Sequence, residues 1–311
     1  MMQTRPIDRA LAALLVIAWG CDRPTALEEG ARASDPVFSI QSLNWGPAQS
    51  VDPGGVKKIN TAALDGCPIE SPDGRSLFFA TNRDGQIDIW SSERTGPNGE
   101  WSEPEKLPEP VNSPAADFCP TPLEGGRLLF VSTRAGGCGM TGADIYEARL
   151  HPTRGWIDFE NLGCVVNSAA SEFSPSYVGA GGGMLFFSSS LGGKDNIYVS
   201  HRQPGGAWGE PVAVAELNLA GWNTVRPNVS QDGRVIVFDS DRASVFGGAN
   251  IWMATRPNIN VPWSEPVPLG FHVNSDANET RGSLSRAGKR LYFGSNRAGE
   301  GDSDIFVVTR E

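Results

Sequence analysis

Short apolar runs alternate with polar turn signals along most of the chain. In the first clear stretch, runs at 67–70, 76–81, 88–93 and 103–107 are separated by turns such as Pro72-Asp73-Gly74. Asp-Gly pairs favour tight hairpin turns because glycine adopts a positive φ without steric cost. The pattern therefore predicts four short antiparallel strands in this stretch, and it does not have the 3.6-residue period of an amphipathic helix.

Two sequence markers repeat in phase along the chain. One is an Asp-Ile or Asn-Ile pair that recurs every 52 to 56 residues. The isoleucines of the five pairs are Ile89, Ile145, Ile197, Ile251 and Ile305. The other is a tryptophan at a similar interval: Trp45, Trp101, Trp156, Trp208 and Trp263. Four antiparallel strands that recur about every 50 residues are typical of β-propeller blades, so the repeats predict five blades.

The order of the two markers predicts how the ring closes. The first marker is Trp45 and the last is the pair at Asp304-Ile305, so the last unit lacks a fourth strand while a spare strand precedes the first unit. We therefore predict an all-β, five-bladed propeller over residues 37–311, with the strand around Trp45 completing the last blade. Closure of this kind removes free sheet edges that could pair with other chains.

These units resemble the WD40-like propeller repeats of the TolB type, often called PD40 repeats. The resemblance rests on Ser71-Pro72-Asp73-Gly74-Arg75, Phe79, Arg83 and Asp88-Ile89-Trp90, with their counterparts in the other units. It covers residues 37–311, and it implies a propeller that works in protein–protein contacts near an outer membrane without identifying the partner. A propeller fold by itself does not specify an activity.

The first 21 residues are organised like an export signal. Arg5 and Arg9 precede an apolar run at 10–18, which is too short to cross a bilayer but has the length of a signal-peptide core. Cys21 follows this run, as in bacterial lipoprotein signals. Ala18 and Trp19 depart from the usual residues of such signals, so an ordinary secretory signal is the alternative.

From this N-terminal pattern we expect a signal peptide over 1–20 and a lipidated Cys21 that begins a polar tether over 21–36. The expected location is the periplasm or the cell surface, with the lipid anchor as the sole contact with the membrane. Nothing in the pattern indicates which membrane holds the anchor.

Composition excludes several classes of protein. The 37 glycines and 23 prolines argue against a mostly helical chain. The net charge of −10 argues against nucleic acid as a partner, because a polyanion binder needs a basic face. The three histidines are far apart in sequence, which makes a histidine-rich metal centre improbable.

One face of the predicted propeller carries repeated charges. If the strands of a blade are lettered a to d from the channel outward, the b–c loops and the d–a crossovers share this face, which we call the loop face. The b–c loops begin at the arginines Arg83, Arg134, Arg242 and Arg297, with Leu191 in the third unit. The crossovers carry the acids Asp65, Asp117, Glu172 and Glu279, with Asn223 in the third crossover.

Two pairings of these charges are open. If each arginine pairs with the acid that follows its own unit, the pairs are Arg83–Asp117, Arg134–Glu172, Arg242–Glu279 and Arg297–Asp65, and Leu191 meets Asn223. Pairing with the preceding acid would leave Glu172 and Arg242 without charged partners, and an orphaned buried charge costs roughly 3–5 kcal/mol. We therefore predict inter-blade ion pairs, and the alternative role for these residues is ligand binding at the channel rim.

Four cysteines remain after Cys21, in a chain expected to be exported. Cys138 and Cys164 fall on the same face of the same predicted blade and are candidates for a disulfide. Cys67 and Cys119 occupy equivalent positions on the inner strands of adjacent blades. We expect them to be further apart than the roughly 4.4–6.8 Å that a disulfide requires between Cα atoms, and therefore free and buried.

The sequence offers little for catalysis or for metal binding. It contains no G-x-S-x-G motif, and we assign no catalytic residue. The segment 82–88 resembles a calcium loop but lacks the full set of ligands, so we expect no cofactor, with calcium as the open alternative.

We therefore expect a binding protein or scaffold of the cell envelope, not an enzyme, that holds a protein, peptide or glycan on the loop face. The alternative is a glycan hydrolase of the five-bladed kind with carboxylates in the central channel. Two acids about 5–10 Å apart in an open central pocket, unpaired with arginine, would favour that alternative.

Overall fold

The structure, a computed structural model, describes residues 44–310 except 53, 55–57, 97–98, 140–141, 298 and 300. The predicted signal peptide, the predicted lipidation of Cys21 and the predicted tether lie outside these residues. Within the described ranges, no helix is long and apolar enough to cross a membrane.

Twenty short strands account for almost all of the regular structure. The strands are β1 (Gln49–Ser50), β2 (Asp65–Glu70), β3 (Ser76–Thr81), β4 (Asp88–Glu93), β5 (Glu105–Lys106), β6 (Asp117–Leu123), β7 (Arg127–Ser132), β8 (Asp144–His151), β9 (Gly155–Asn161), β10 (Glu172–Val178), β11 (Met184–Ser189), β12 (Asn196–His201), β13 (Val212–Ala213), β14 (Thr224–Val229), β15 (Val235–Ser240), β16 (Asn250–Thr255), β17 (Val267–Pro268), β18 (Glu279–Leu284), β19 (Arg290–Ser295) and β20 (Asp304–Thr309). A single-turn 3-10 helix, Ala180–Gly182, lies between β10 and β11.

The strands form five four-stranded antiparallel sheets, which confirms the predicted five-bladed propeller. Blade 1 is β2–β5, blade 2 is β6–β9, blade 3 is β10–β13 and blade 4 is β14–β17. Blade 5 is β18–β20 with β1 as its outer strand, because Gln49 pairs with Val307 and Ser50 with Phe306. The N-terminal strand therefore closes the ring, as the order of the sequence markers predicts.

The hydrophobic core lies between neighbouring blades. Apolar residues of the two middle strands, such as Phe79 and Phe238, are fully buried there. Four of the repeated tryptophans also carry an arginine guanidinium from the end of strand c, 4.0–5.1 Å from the ring centroid: Arg94 on Trp101, Arg202 on Trp208, Arg256 on Trp263 and Arg310 on Trp45. Cation–π contacts of this kind add to the packing of the outer edge of the blades.

Strand a of every blade contains a bulge at its third residue. These residues have φ between 47° and 55° although none is glycine: Cys67, Cys119, Ser174, Arg226 and Arg281. The register with strand b shifts across the same residue in each blade. A bulge re-aims its side chain, and a positive φ is uncommon outside glycine. Since the five a strands neighbour one another in a ring, the bulges present five equivalent side chains around the central channel.

Candidate functional site

Three of the four arginines at the start of b–c loops pair with the acid that opens strand a of their own blade. The Nη2 atom of Arg83 lies 3.0 Å from Oδ1 of Asp65. The equivalent pairs are Arg134–Asp117 at 2.7 Å and Arg297–Glu279 at 2.9 Å. The acids are fully buried, so these charge-assisted hydrogen bonds lie inside the blades.

The predicted pairing of each arginine with the acid of the next blade is therefore wrong. The structure does not form Arg83–Asp117, Arg134–Glu172, Arg242–Glu279 or Arg297–Asp65. The reason lies in the strand register: Asp65 stands directly opposite Thr81, the last residue of strand b, and Arg83 follows two residues later. The arginine side chain consequently folds back onto the acid of its own sheet.

Blades 3 and 4 each keep one buried charge that has no ion-pair partner among the described residues. Glu172 accepts hydrogen bonds at 2.7 Å from the hydroxyls of Ser168 and Ser189. Arg242 donates to the Thr224 hydroxyl at 2.9 Å and to the Leu217 carbonyl at 2.7 Å, and burial lowers its pKa. Neutral hydrogen-bond partners thus replace the missing charges.

In blade 4 the position equivalent to the repeated acids is Thr224, one residue after the predicted Asn223. Asn223 instead donates from its backbone amide to Asp241 at 2.7 Å, and its side-chain oxygen accepts from the Asp195 amide at 3.3 Å. The predicted match of Leu191 with Asn223 is therefore also wrong. Leu191 is 61% exposed on the loop face.

The repeated acids are further held by their own crossovers. The hydroxyl and backbone amide of a Ser or Thr four residues earlier both donate to the carboxylate: Thr61 to Asp65, Ser113 to Asp117, Ser168 to Glu172 and Ser275 to Glu279. These contacts occupy the carboxylate oxygens from inside the protein. The four acids therefore act as structural groups that fix the crossovers to the inner strands.

The structure contains two disulfides among the described residues. Cys138 and Cys164 are bonded with Cα atoms 5.3 Å apart. Cys67 and Cys119 are also bonded, with Cα atoms 4.9 Å apart, so the prediction that they are free is wrong. Both sit at the bulge positions of neighbouring a strands, and the bulges bring two equivalent residues within disulfide range.

A central cavity of about 320 Å³ opens between the inner strands on the loop face. Its walls are mostly apolar and include Phe118, Phe173 and the Cys67–Cys119 disulfide. Arg226 and Arg281, from blades 4 and 5, complete the lining. The cavity thus combines an apolar wall with two arginines. The hydrolase alternative would instead require a channel lined by carboxylates.

A single buried carboxylate, Asp239, contacts both arginines of the cavity. Its Oδ2 lies 2.5 Å from Nη1 of Arg226, and its Oδ1 accepts from the backbone amide of Arg281 at 2.9 Å. Burial raises the pKa of Asp239, and the neighbouring Arg226 charge opposes this effect. Burial also lowers the pKa of Arg281, whose side chain is almost completely enclosed.

Sequence reasoning overlooked these two arginines. The signal was present, because the third residue of strand a reads Cys, Cys, Ser, Arg and Arg through the five blades. The column lies two residues after the repeated acids, but in blade 4 that acid is replaced by Thr224, which obscures the match.

No group of three or more His, Cys, Asp or Glu side chains able to hold a metal ion occurs in the part of the chain that the structure describes. In the segment that resembles a calcium loop, Asp88 lies 2.6 Å and Asp84 3.9 Å from the ammonium of Lys106. The carboxylates of this loop therefore face a cationic side chain.

Large apolar side chains are exposed on the loop face. They stand in b–c loops or d–a crossovers: Val165, Leu191, Leu219, Trp222, Val245 and Phe271. Val245 is 92% exposed and Phe271 77% exposed. The crossover that carries Leu219 and Trp222 is joined to the loop after Leu191 by a hydrogen bond from the Thr224 amide to the Asp195 carbonyl at 2.8 Å. Four of them, Leu191, Leu219, Trp222 and Val245, thus belong to the two blades in which the Arg–acid pattern is interrupted or to the crossover between those blades.

Comparison with known proteins identifies the fold. No protein-family model and no curated protein sequence matches the chain. Among solved structures, the catalytic domain of a GH62 α-L-arabinofuranosidase from Coprinopsis cinerea is similar over 85% of this chain and 96% of that one, at 14% identity and a TM-score of 0.56.

Two further structures show the range of the similarity. An endo-arabinase from Bacteroides thetaiotaomicron VPI-5482 matches over 82% of this chain and 97% of its own, at 16% identity and a TM-score of 0.54. A putative TolB from Agrobacterium tumefaciens matches over 80% and 84%, at 16% identity and a TM-score of 0.48. The arabinofuranosidase and endo-arabinase TM-scores show a common fold, and identities of 14% and 16% show nothing about activity.

Proposed function

We propose that this protein is an exported, lipid-anchored binding protein of the cell envelope that holds a protein, peptide or glycan partner on its loop face. The observation that carries this proposal is the set of exposed apolar side chains on that face. Monomeric proteins rarely leave large apolar side chains clustered in water unless they bind something there.

The location of these side chains supports a specific contact surface. Leu191 replaces an arginine that is otherwise buried against its own blade, and Trp222 lies in the crossover hydrogen-bonded to the same loop. Tryptophan and leucine at such a position bury a large apolar area on contact with a partner, and tryptophan is among the residues that dominate binding energy at interfaces.

The carboxylate geometry favours binding over hydrolysis of a glycan. A glycosidase needs two carboxyl groups that face the scissile bond, one of them able to give a proton. The repeated acids instead turn inward to arginines, hydroxyls and backbone amides. Among the described residues that line the central cavity, the one carboxylate is Asp302, at the exposed rim.

The disulfides support export. Disulfide bonds persist in the periplasm and outside the cell but are reduced in the cytosol. Two of them within one propeller therefore agree with the N-terminal signal pattern. The proposed lipid anchor at Cys21 would hold the propeller at a membrane surface.

The test is capture of a partner that depends on the loop face. The full chain, the Leu191→Ser/Trp222→Ser double variant and a Val212→Ser control are each immobilised and exposed to detergent-solubilised membranes of the source organism. Val212 is 62% exposed but lies on the outer strand β13, so it controls for the loss of an exposed apolar side chain elsewhere. We expect the same retained partner on the wild type and the control, and its loss from the double variant. Equal recovery on all three proteins would contradict the proposal.

A further inference from the structure

We infer that the central cavity on the loop face binds a carboxylate group carried on a small apolar body. This inference rests on the proposed function and deepens it by naming the chemistry of the ligand. The arginines and apolar walls of the cavity described above carry it.

The cavity carries more positive charge than its buried carboxylate can balance. Arg226 and Arg281 occupy equivalent bulge positions on adjacent blades, and both contact Asp239. Asp239 forms an ion pair with the Arg226 guanidinium but contacts Arg281 through its backbone amide, so the Arg281 guanidinium forms no ion pair among the described residues. Asp302 stands at the exposed rim, where water screens its charge. An anion in the cavity would supply the missing negative charge.

Arg281 has donors without partners. Its side chain is 1% exposed, and its Nη2 donates to the Thr121 hydroxyl at 3.2 Å. Its Nε and Nη1 have no hydrogen-bond partner among the described residues. A buried donor that is left unpaired costs free energy, so native proteins place such groups where a ligand, an ion or water can satisfy them.

Arg226 supplies the cation that a ligand can reach. Its side chain is 34% exposed, and one of its nitrogens, Nη1, is occupied by Asp239. The planar guanidinium has further donors available for a carboxylate, and it can bind two oxygens of the same group. The accessible Arg226 and the enclosed Arg281 therefore form the cationic end of the site.

The remaining wall of the cavity selects for an apolar body. Phe118, Phe173 and the disulfide between Cys67 and Cys119 belong to a partly buried apolar cluster that faces the same space. A volume of about 320 Å³ is at the small end for a ligand pocket, which suits a short aliphatic or aromatic acid. A bare inorganic anion would use the arginines and leave this apolar surface in contact with water.

At the opposite mouth of the channel, the arginines that line the cavity are balanced by carboxylates. That cavity, of about 450 Å³, is lined by Arg127 and Arg286, but each of them is paired with a carboxylate. Arg127 is bound by Glu147 at 2.5 Å, and Arg286 is bound by Glu124. Arg127 and Arg286 are thus each neutralised by a carboxylate. Thr121, which accepts a hydrogen bond from Arg281, also lines this cavity, so the Arg281 guanidinium lies between the two mouths.

A carboxylate of this kind can come from a free small acid or from the C-terminus of a partner polypeptide. The experiment therefore uses two pairs of probes, hexanoate with hexanamide, and the tripeptide Gly-Gly-Leu with its C-terminal amide. Binding is measured by isothermal titration calorimetry at pH 7 and constant ionic strength, with the full chain.

Three single variants make the test specific. Arg226→Gln keeps an amide that can donate to Asp239 but removes the charge. Arg281→Met removes the enclosed charge and keeps an apolar side chain of similar length. Arg149→Gln removes a guanidinium that is 58% exposed on the outer part of blade 2, outside the cavity, and serves as the matched control. Circular dichroism checks that each variant is folded, and Arg226→Gln alone suffices if Arg281→Met does not fold.

We expect the wild type to bind at least one carboxylate probe roughly tenfold or more tightly than its amide, the difference that one charge-assisted hydrogen bond provides. Arg226→Gln and Arg281→Met should weaken that binding by a similar factor, and Arg149→Gln should leave it unchanged. Tighter binding of hexanoate identifies a free acid as the source, and tighter binding of the tripeptide identifies a C-terminus; both support the inference.

The inference is overturned if the wild type binds neither carboxylate, if the amides bind equally well, or if Arg149→Gln loses as much affinity as the cavity variants. The capture experiment with Leu191 and Trp222 does not involve the cavity arginines. A negative titration together with positive capture would therefore remove the carboxylate site and leave the proposed function standing.

Discussion

Asn274 holds the backbone of Ile251 through two hydrogen bonds. The Ile251 amide donates to Asn274 Oδ1 at 2.8 Å, and Asn274 Nδ2 donates to the Ile251 carbonyl at 3.0 Å. The same contact occurs in all five blades, in the pairs Asn112–Ile89, Asn167–Ile145, Asn218–Ile197, Asn60–Ile305 and Asn274–Ile251. The asparagine of each crossover and the isoleucine of the Asp/Asn-Ile marker are thus two ends of one structural contact.

Removal of this asparagine should destabilise the propeller. Asn274→Ala leaves the buried amide and carbonyl of Ile251 without partners, and it also removes the hydrogen bond from Nδ2 to the Leu269 carbonyl. We expect a loss of about 2–4 kcal/mol in the free energy of unfolding. Urea denaturation measures it, with Asn258→Ala, at an exposed asparagine, as the control. A loss no larger than that of the control would show that the contact is dispensable.

The ion pairs within blades should show energetic coupling that the inter-blade pairs lack. A double-mutant cycle with Arg83→Met and Asp65→Asn should give a coupling energy of about 1–3 kcal/mol, because the two groups are in direct contact and buried. The cycle with Arg83→Met and Asp117→Asn should give a value within about 0.5 kcal/mol of zero. A larger coupling energy for Arg83 with Asp117 than for Arg83 with Asp65 would support the inter-blade pairing instead.

Asp239 should make the wild type lose stability as the pH rises. Its pKa is raised in the folded state by burial, so the folded protein holds a proton that the unfolded chain releases near pH 4. The folded state is therefore favoured below the unfolded pKa, and this contribution disappears as the pH rises through the folded pKa. Relative to Asp239→Asn, the wild type should lose stability from about pH 4 upward in a series of urea titrations. If the free energy of unfolding of the wild type, minus that of Asp239→Asn, stayed constant or increased with pH, this would contradict the direction of the pKa shift.

The five-bladed fold was predictable because two independent markers, the tryptophan and the Asp/Asn-Ile pair, repeat in phase. Ring closure followed from their order alone, and β1 pairs with β20 as expected. The charge pairing was not predictable in the same way. It depends on strand register, since Asp65 must stand opposite Thr81 for Arg83 to fold back onto it, and spacing along the chain does not contain that information.

The bulges explain the remaining differences between prediction and structure. Nothing in the residue types Cys67, Cys119 and Arg281 signals a positive φ, because residues other than glycine seldom adopt it. Without the bulge, the two cysteines appear too far apart to bond, and Arg281 appears to be an ordinary strand residue. The candidate site therefore depends on the backbone conformation of strand a, which the residue types do not indicate.

Both disulfides should contribute measurably to stability. The Cys67–Cys119 bond joins residues 52 apart, and the Cys138–Cys164 bond joins residues 26 apart. In the chain-entropy model these loops correspond to about 4.1 and about 3.5 kcal/mol, so Cys67→Ser/Cys119→Ser should be the more destabilised pair of the two. Guanidinium denaturation of the oxidised proteins compares them. Peptide mapping without reductant checks the connectivity, and free thiols at Cys67 and Cys119 would contradict the structure.

The protein should not hydrolyse arabinan, although the solved structures that it resembles include arabinan-degrading enzymes. Glycoside hydrolysis needs a carboxylic acid and a second carboxylate on either side of the scissile bond. Asp65, Asp117 and Glu279 are fully buried and bound to arginines, and Glu172 is enclosed by serine hydroxyls. We expect no release of reducing sugar from linear arabinan by the purified protein, in parallel with an active arabinanase as the positive control. Release that disappears in Asp302→Asn or Asp239→Asn would establish the hydrolase instead, because those carboxylates line or adjoin the central cavity.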